Sequence, residues 1–143
     1  MAVDIRNHEG YKDPVPYEAL YGIGREEKAA SKPAFRPLVY ICAPFRGDIE
    51  GNVKRAAAFA AFAYEKGNIP LTSHLLFPFL DDTNRDHRRD AMHMDLVLMG
   101  KCREVWVLGD TVTDGMTTEI IRAKKRRQPI RYFTSEYEEV ERL

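Results

Sequence analysis

From Pro37 onward, short apolar runs alternate with longer stretches in which apolar residues recur at helical spacing. Leu38 to Ala43 (LVYICA) is continuous, β-branched and aromatic. Such a run suits a strand buried on both faces. It stops at Pro44-Phe45-Arg46-Gly47-Asp48. A helix is expected over Val53 to Lys66, with Asp48 or Asn52 able to cap it and Gly67 to end it. Its alanines permit close packing on a sheet. Asn68 to Thr72 is the second expected strand, and Pro70 assigns it to a sheet edge. Ser73 to Leu80 is an apolar segment with a polar entrance. Asp81 to Asp90 is a charged loop turning into a helix, and helical spacing is visible from about Ala91, where Met92, Leu96 and Met99 form one stripe. Val105 to Leu108 is the third strand, Gly115 to about Arg126 a helix, and Ile130 to Phe133 the fourth strand. Ser135 can cap a last helix, SEYEEVERL.

Strands alternating with helices predict an α/β fold with a parallel sheet. Right-handed crossovers put the loops Pro44–Asp48 and Asp110–Gly115 on one edge of that sheet. Strand order 2-1-3-4 makes them neighbours at a switch point, where open α/β sheets bind ligands. Residues 1–36 read differently. They form an expected N-terminal arm and linker, with a short amphipathic helix over Tyr17 to Ala30 and prolines at 33 and 37. Residues 37–143 form the α/β domain.

Composition narrows the function classes. A chain of 143 residues is one domain by length. With 44% hydrophobic residues it has the material for a core, and a domain near this size buries roughly two-thirds of its unfolded surface. The 22 basic and 22 acidic residues cancel, which argues against nucleic-acid or anionic-membrane binding driven by bulk charge. Lys124 to Arg127 reads as the solvated end of a helix. Cys42 and Cys102 lie in separate apolar segments without metal-ligand spacing. They are expected to be reduced core thiols of a cytoplasmic protein. No run approaches the ~18 apolar residues of a membrane span, and the N-terminus lacks a hydrophobic signal core.

Several residues can carry chemistry, each with a plainer alternative. Glu119 is either a first-turn helix acid, stabilised by the macrodipole, or an ionised nucleophile in a cleft. Asp95 interrupts an apolar stripe, and an unpaired buried charge is costly. It therefore faces a polar cavity or pairs with an arginine such as Arg88 or Arg89. Asp114 is a turn residue before Gly115 or a site carboxylate. Arg46 is a surface arginine or a fork for a phosphate or carboxylate, with Gly47 allowing close backbone approach. Tyr40 is a core aromatic or a phenol directed at the carboxylates. His74, after the second strand, is structural or lines the same loops. His87 and His93 have no trustworthy metal-ligand spacing.

Three segments together carry a resemblance: Val39-Tyr40-Ile41-Cys42-Ala43-Pro44-Phe45-Arg46-Gly47; Asp95 ahead of Cys102-Arg103-Glu104-Val105-Trp106-Val107; and Asp114-Gly115-Met116-Thr117-Thr118-Glu119-Ile120. In order and spacing this set resembles the nucleoside 2-deoxyribosyltransferase-like superfamily, which includes deoxyribosyltransferases and 2'-deoxynucleoside 5'-phosphate N-hydrolases. The resemblance covers about residues 37–134. It implies a flavodoxin-like, Rossmann-like three-layer sandwich and cleavage or transfer at an N-glycosidic bond of a nucleoside or nucleotide. Carried over by position, Glu119 would attack the anomeric carbon. Asp95 would hold and protonate the base, Asp114 would contact the sugar or orient Glu119, and Tyr40 would hold the nucleophile. Arg46 and Gly47 would lie by the 5' end, with Phe45, His74, Gly115 and Met116 around the substrate. Two carboxylates flanking the bond fit the general logic of glycoside chemistry. A homo-oligomer with sites near the subunit interface is implied, and neither a metal nor an organic cofactor is. Two positions depart from the pattern. Ala43-Pro44 stands where the nucleotide hydrolases tend to have Gly-Ser, and Ile121 stands where glycine is frequent. The departures leave room for a non-catalytic nucleotide-binding module on the same fold, or for an interaction protein whose carboxylates are structural.

Overall fold

The computed structural model describes residues 34–141. The helix expected over Tyr17 to Ala30 lies outside them. The described elements are β1 (Leu38–Cys42), α1 (Ile49–Glu65), β2 (Ile69–Leu71), a 3-10 turn (Ser73–Leu75), α2 (Arg85–Met99), β3 (Glu104–Leu108), α3 (Asp114–Lys125), β4 (Ile130–Phe133) and β5 (Glu139–Val140). They build one five-stranded sheet in the order β2-β1-β3-β4-β5. The first four strands are parallel, and β5 runs antiparallel to β4. β2 lies at one edge, where Pro70 lacks no needed donor.

The period-2 alternation of the strands sorts the core into two layers. Val39 and Ile41 of β1 and Trp106 and Leu108 of β3 face α1, joining Ala56, Phe59, Ala60 and Ala63. Tyr40, Cys42, Val105 and Val107 face the other way, toward Leu96 and Met99 of α2 and Met116, Ile120 and Ala123 of α3. The protein is therefore a three-layer α/β fold. Both cysteines are buried free thiols, and burial raises their pKa values. Among the described residues, no helix is long and apolar enough to cross a membrane.

Three elements depart from expectation, the first being α1, which starts at Ile49 rather than Val53 because Asp48 caps it. α2 starts at Arg85, six residues before its apolar stripe, because Asn84 caps it by accepting the His87 N–H at 3.1 Å. The last helix does not form. Thr134 instead accepts the N–H groups of Glu136 and Glu138 on its hydroxyl, and the chain turns through Tyr137 at φ 66°. That turn brings the Tyr137 ring to 4.9 Å from Phe62 and 5.5 Å from Phe59. It also lets Arg131 fork onto Glu139 at 3.0 and 2.8 Å. Aromatic burial and a bidentate pair outweigh the local helical pattern.

Candidate functional site

The chain leaves β1 toward α1 and β2 on one side, and leaves β3 toward α3 and β4 on the other. The loops after β1 and β3 diverge at this switch point, and both turn through glycines that need positive φ, Gly47 at 96° and Gly109 at 107°. A cleft of about 640 Å³ opens there, within the range of small-molecule sites. Its walls come from the β1 loop, the segment after β2, α2 and the first turns of α3.

Glu119 forms the inner wall. It lies on the second turn of α3, 6% exposed, among apolar neighbours. Tyr40, fully buried on β1, donates its phenol O–H to Glu119 Oε2 at 2.5 Å. The same phenol oxygen lies 3.2 Å from the hydroxyl of buried Ser73. Burial pushes the Glu119 carboxyl up to about 7, with the Asp95 charge adding to the rise and the Tyr40 and Cys42 donors opposing it. The buried phenol of Tyr40 is raised well above its ordinary value, so it stays a donor.

Asp95 projects from α2 into the same cleft. Burial raises its carboxyl to about 6, partly offset by the Ser73 hydroxyl. Its Oδ1 is one of two buried side-chain polar atoms without a partner among the described residues. The other, Gln128 Oε1, belongs to an amide whose Nε2 already bonds the carbonyls of Met99 and Cys102. Asp95 has only the Ser73 hydroxyl acting on its carboxyl, and its Oδ1 stays unpaired. The expected alternative of an arginine partner is not realised: Arg88 bonds the Asp82 carbonyl at 3.2 Å, and Arg89 pairs with Asp86 at 3.4 Å.

The remaining expected residues gather around this pair. Asp114 opens α3 at the cleft edge, behind Thr113, whose hydroxyl accepts the Met116 N–H at 3.3 Å. Gly115 and Met116 line the same wall. A Cβ at Gly115 would meet Met92 Cε at 3.6 Å, an ordinary contact, so space alone does not demand glycine. Phe45, Arg46 and Gly47 line the opposite side, where the Phe45 ring packs edge-on to His74 at 4.9 Å. His74 donates from Nε2 to the Pro44 carbonyl at 2.9 Å, and burial lowers its pKa, so it sits as a neutral strut. Arg46 Nε meets Asp82 at 3.2 Å.

Three contributors were not singled out from sequence. Asp82 ties the β1 loop to the segment before α2. Ser73 bonds the phenol that holds Glu119. Asn52, considered only as a cap, instead clamps the β1 loop through the carbonyls of Phe45 and Arg46, both at 3.0 Å, while Asp48 caps α1. The one legible hint for Asn52 was a polar residue on an alanine-rich helical face. Among the described residues, no group of three or more His, Cys, Asp or Glu side chains is gathered as for a metal.

Fold and cleft together define a small, mostly parallel α/β protein with one buried and one half-buried carboxyl at its switch point. Comparison with family models carries this one step further. The chain belongs to a family described as a domain of unknown function, DUF7768, whose model matches residues 37–133. No curated protein matches it.

Proposed function

We propose that the protein cleaves or transfers the N-glycosidic bond of a (deoxy)nucleoside or nucleoside 5'-monophosphate, with Glu119 as nucleophile. The observation that carries this reading is the convergence of buried Glu119, its Tyr40 donor and Asp95, whose Oδ1 has no partner, on one cleft. In the proposed reaction a Glu119 oxygen attacks the anomeric carbon while the carbon–nitrogen bond breaks. Asp95, in its acid form, delivers a proton to the departing base. Water or a second base then attacks the same carbon, Asp95 takes up the incoming proton, and Glu119 is released. Two displacements on one carbon retain its configuration. Tyr40 steadies the carboxylate, and Asp114 stands where it can meet sugar hydroxyls. By the resemblance to the deoxyribosyltransferase-like superfamily, the working form is a homo-oligomer. Buried, unpaired thiols favour the cytoplasm.

One observation favours a second reading. A Glu119 carboxyl raised to about 7 is substantially protonated at neutral pH, and a neutral carboxyl binds a base edge by donating a hydrogen bond rather than attacking. A binding module on the same fold would use it that way. Incubating the protein with deoxynucleosides and their 5'-monophosphates, and following free base by chromatography, separates the two. Base release by the wild type that Glu119→Ala abolishes supports the enzyme. A rise in melting temperature without cleavage supports the binder, and no effect from any compound removes both.

A further inference from the structure

The cleft holds five carboxyl groups, from Asp81, Asp82, Asp95, Asp114 and Glu119, against two guanidinium groups, from Arg46 and Arg88, and no lysine. Each guanidinium gives one donor to the same residue. Arg46 Nε meets the Asp82 carboxylate at 3.2 Å, and Arg88 donates to the Asp82 carbonyl at 3.2 Å. Three features that usually receive a phosphate are also altered. Pro44 has no N–H. The N-terminus of α1 is filled by the Asp48 carboxylate, which accepts the Gly51 N–H at 3.1 Å. The N-terminus of α3 is capped by the Thr113 hydroxyl and carries Asp114 in its first turn. A phosphate entering from the β1 loop would have to displace Asp82 from Arg46. It would then pair with Arg46 beside the freed Asp82 carboxylate, in a cleft whose carboxyl groups outnumber its guanidiniums. Like charges brought together in this way discriminate against the wrong ligand.

We infer that Asp82 is a specificity-determining residue that disfavours phosphate-bearing ligands by pairing its carboxylate with Arg46 in a cleft rich in carboxyl groups, so that the site takes an uncharged nucleoside rather than its 5'-monophosphate. This rests on the N-glycosidic reading for the identity of the ligand. The exclusion of phosphate rests on the charges alone. Asp82 acts on the ligand's charge and takes no part in bond breaking.

The test compares the full-length wild type with Asp82→Asn, which removes the charge and keeps the side-chain shape. For matched pairs of deoxynucleoside and 5'-monophosphate, kcat/KM is measured by base release, and Kd by calorimetry, with inorganic phosphate as a third probe. The wild type is expected to prefer the nucleoside by about tenfold or more, and Asp82→Asn to shift that ratio toward the monophosphate by about tenfold, mainly through KM. Adding Arg46→Ala to Asp82→Asn is expected to cancel the shift. A wild type that cleaves the monophosphate as well as the nucleoside overturns the inference and leaves the N-glycosidase reading standing. So does an Asp82→Asn ratio equal to that of the wild type. If nothing is cleaved, the catalytic reading fails, and the same pairs are judged by Kd alone. Tighter binding of phosphate or monophosphate than of nucleoside by the wild type, or no binding of any probe, then overturns the inference.

Discussion

The two faces of the sheet are built from the same strands and differ in what they bury. Toward α1, β1 and β3 present Val39, Ile41, Trp106 and Leu108, and Phe59, Phe62, Phe133 and Tyr137 close around them. Polar groups at the rim of this layer find partners: the Trp106 indole donates to Glu104 at 2.8 Å, and Arg131 forks onto Glu139. Toward α2 and α3 the same strands present Tyr40 and Cys42, and the helices bring Glu119 and Asp95 against them. Here the polar groups are buried without full compensation. The first face stores stability. The second gives some of it up to hold two carboxyls with pKa values raised above those they have in water.

The largest expected effect lies on the second face. Glu119→Gln keeps the shape of the side chain and removes the nucleophile, so base release should fall by about 10⁴-fold or more. The same change should raise stability at alkaline pH. Glu119 binds its proton more tightly folded than unfolded, so stability falls as pH rises from 4.5 to about 7. At about 1.4 kcal/mol for each tenfold change in proton affinity, that loss is on the order of 3 kcal/mol. Denaturant titrations at pH 5 and pH 8 should show a wild-type decrease that Glu119→Gln flattens. A pH-independent wild type would break the contrast between the faces.

On the first face, Phe59→Ala removes a fully buried ring that meets Phe62, Trp106, Phe133 and Tyr137. It should cost about 3–5 kcal/mol in urea unfolding while leaving the pH dependence of stability unchanged. A smaller effect belongs to the phenol. Tyr40→Phe should lower kcat by roughly 10- to 100-fold. It should also move the pH at which Glu119 ionises upward, because the Tyr40 donor holds that value down. A loss of kcat with an unmoved pH profile would make Tyr40 a packing residue only. For the wild type, kcat/KM should follow a narrow bell. It should fall below about 6, where both carboxyls are protonated, and above about 7, where neither is. The limbs report the coupled pair rather than either residue.

Much of this arrangement was legible from the chain. LVYICA, VWVL and IRYF read as buried parallel strands because continuous β-branched and aromatic runs have no other economical home. Alternation and handedness put the loops after β1 and β3 on one edge, and the order β2-β1-β3-β4 is the one that makes those loops neighbours. Asp95 stood out because a carboxylate on an apolar stripe demands an explanation, whereas Glu119 and Tyr40 took their expected site roles from the resemblance. The start of α2 was hidden, since residues 85–90 are almost entirely charged and carry no periodic signal. The C-terminal segment reads as a helix locally, and only the distant rings of Phe59 and Phe62 select the turn at Tyr137. The site roles of Ser73 and Asp82 were invisible for the same reason, and that of Asn52 left only the hint of a polar residue on an alanine-rich face. Each is an ordinary loop or helix polar residue until the fold brings it against Tyr40, the β1-loop carbonyls or Arg46.

The most direct test of Glu119 as a nucleophile is the stereochemistry of cleavage. The wild type would be given a β-configured deoxynucleoside in buffer containing methanol, and the methyl deoxyriboside product followed by proton NMR before its anomers can be confused. Attack by Glu119 followed by attack of methanol should yield the β-anomer, and Glu119→Gln should yield no product. An α-anomer from the wild type, or the same product at the same rate from Glu119→Gln, would contradict it.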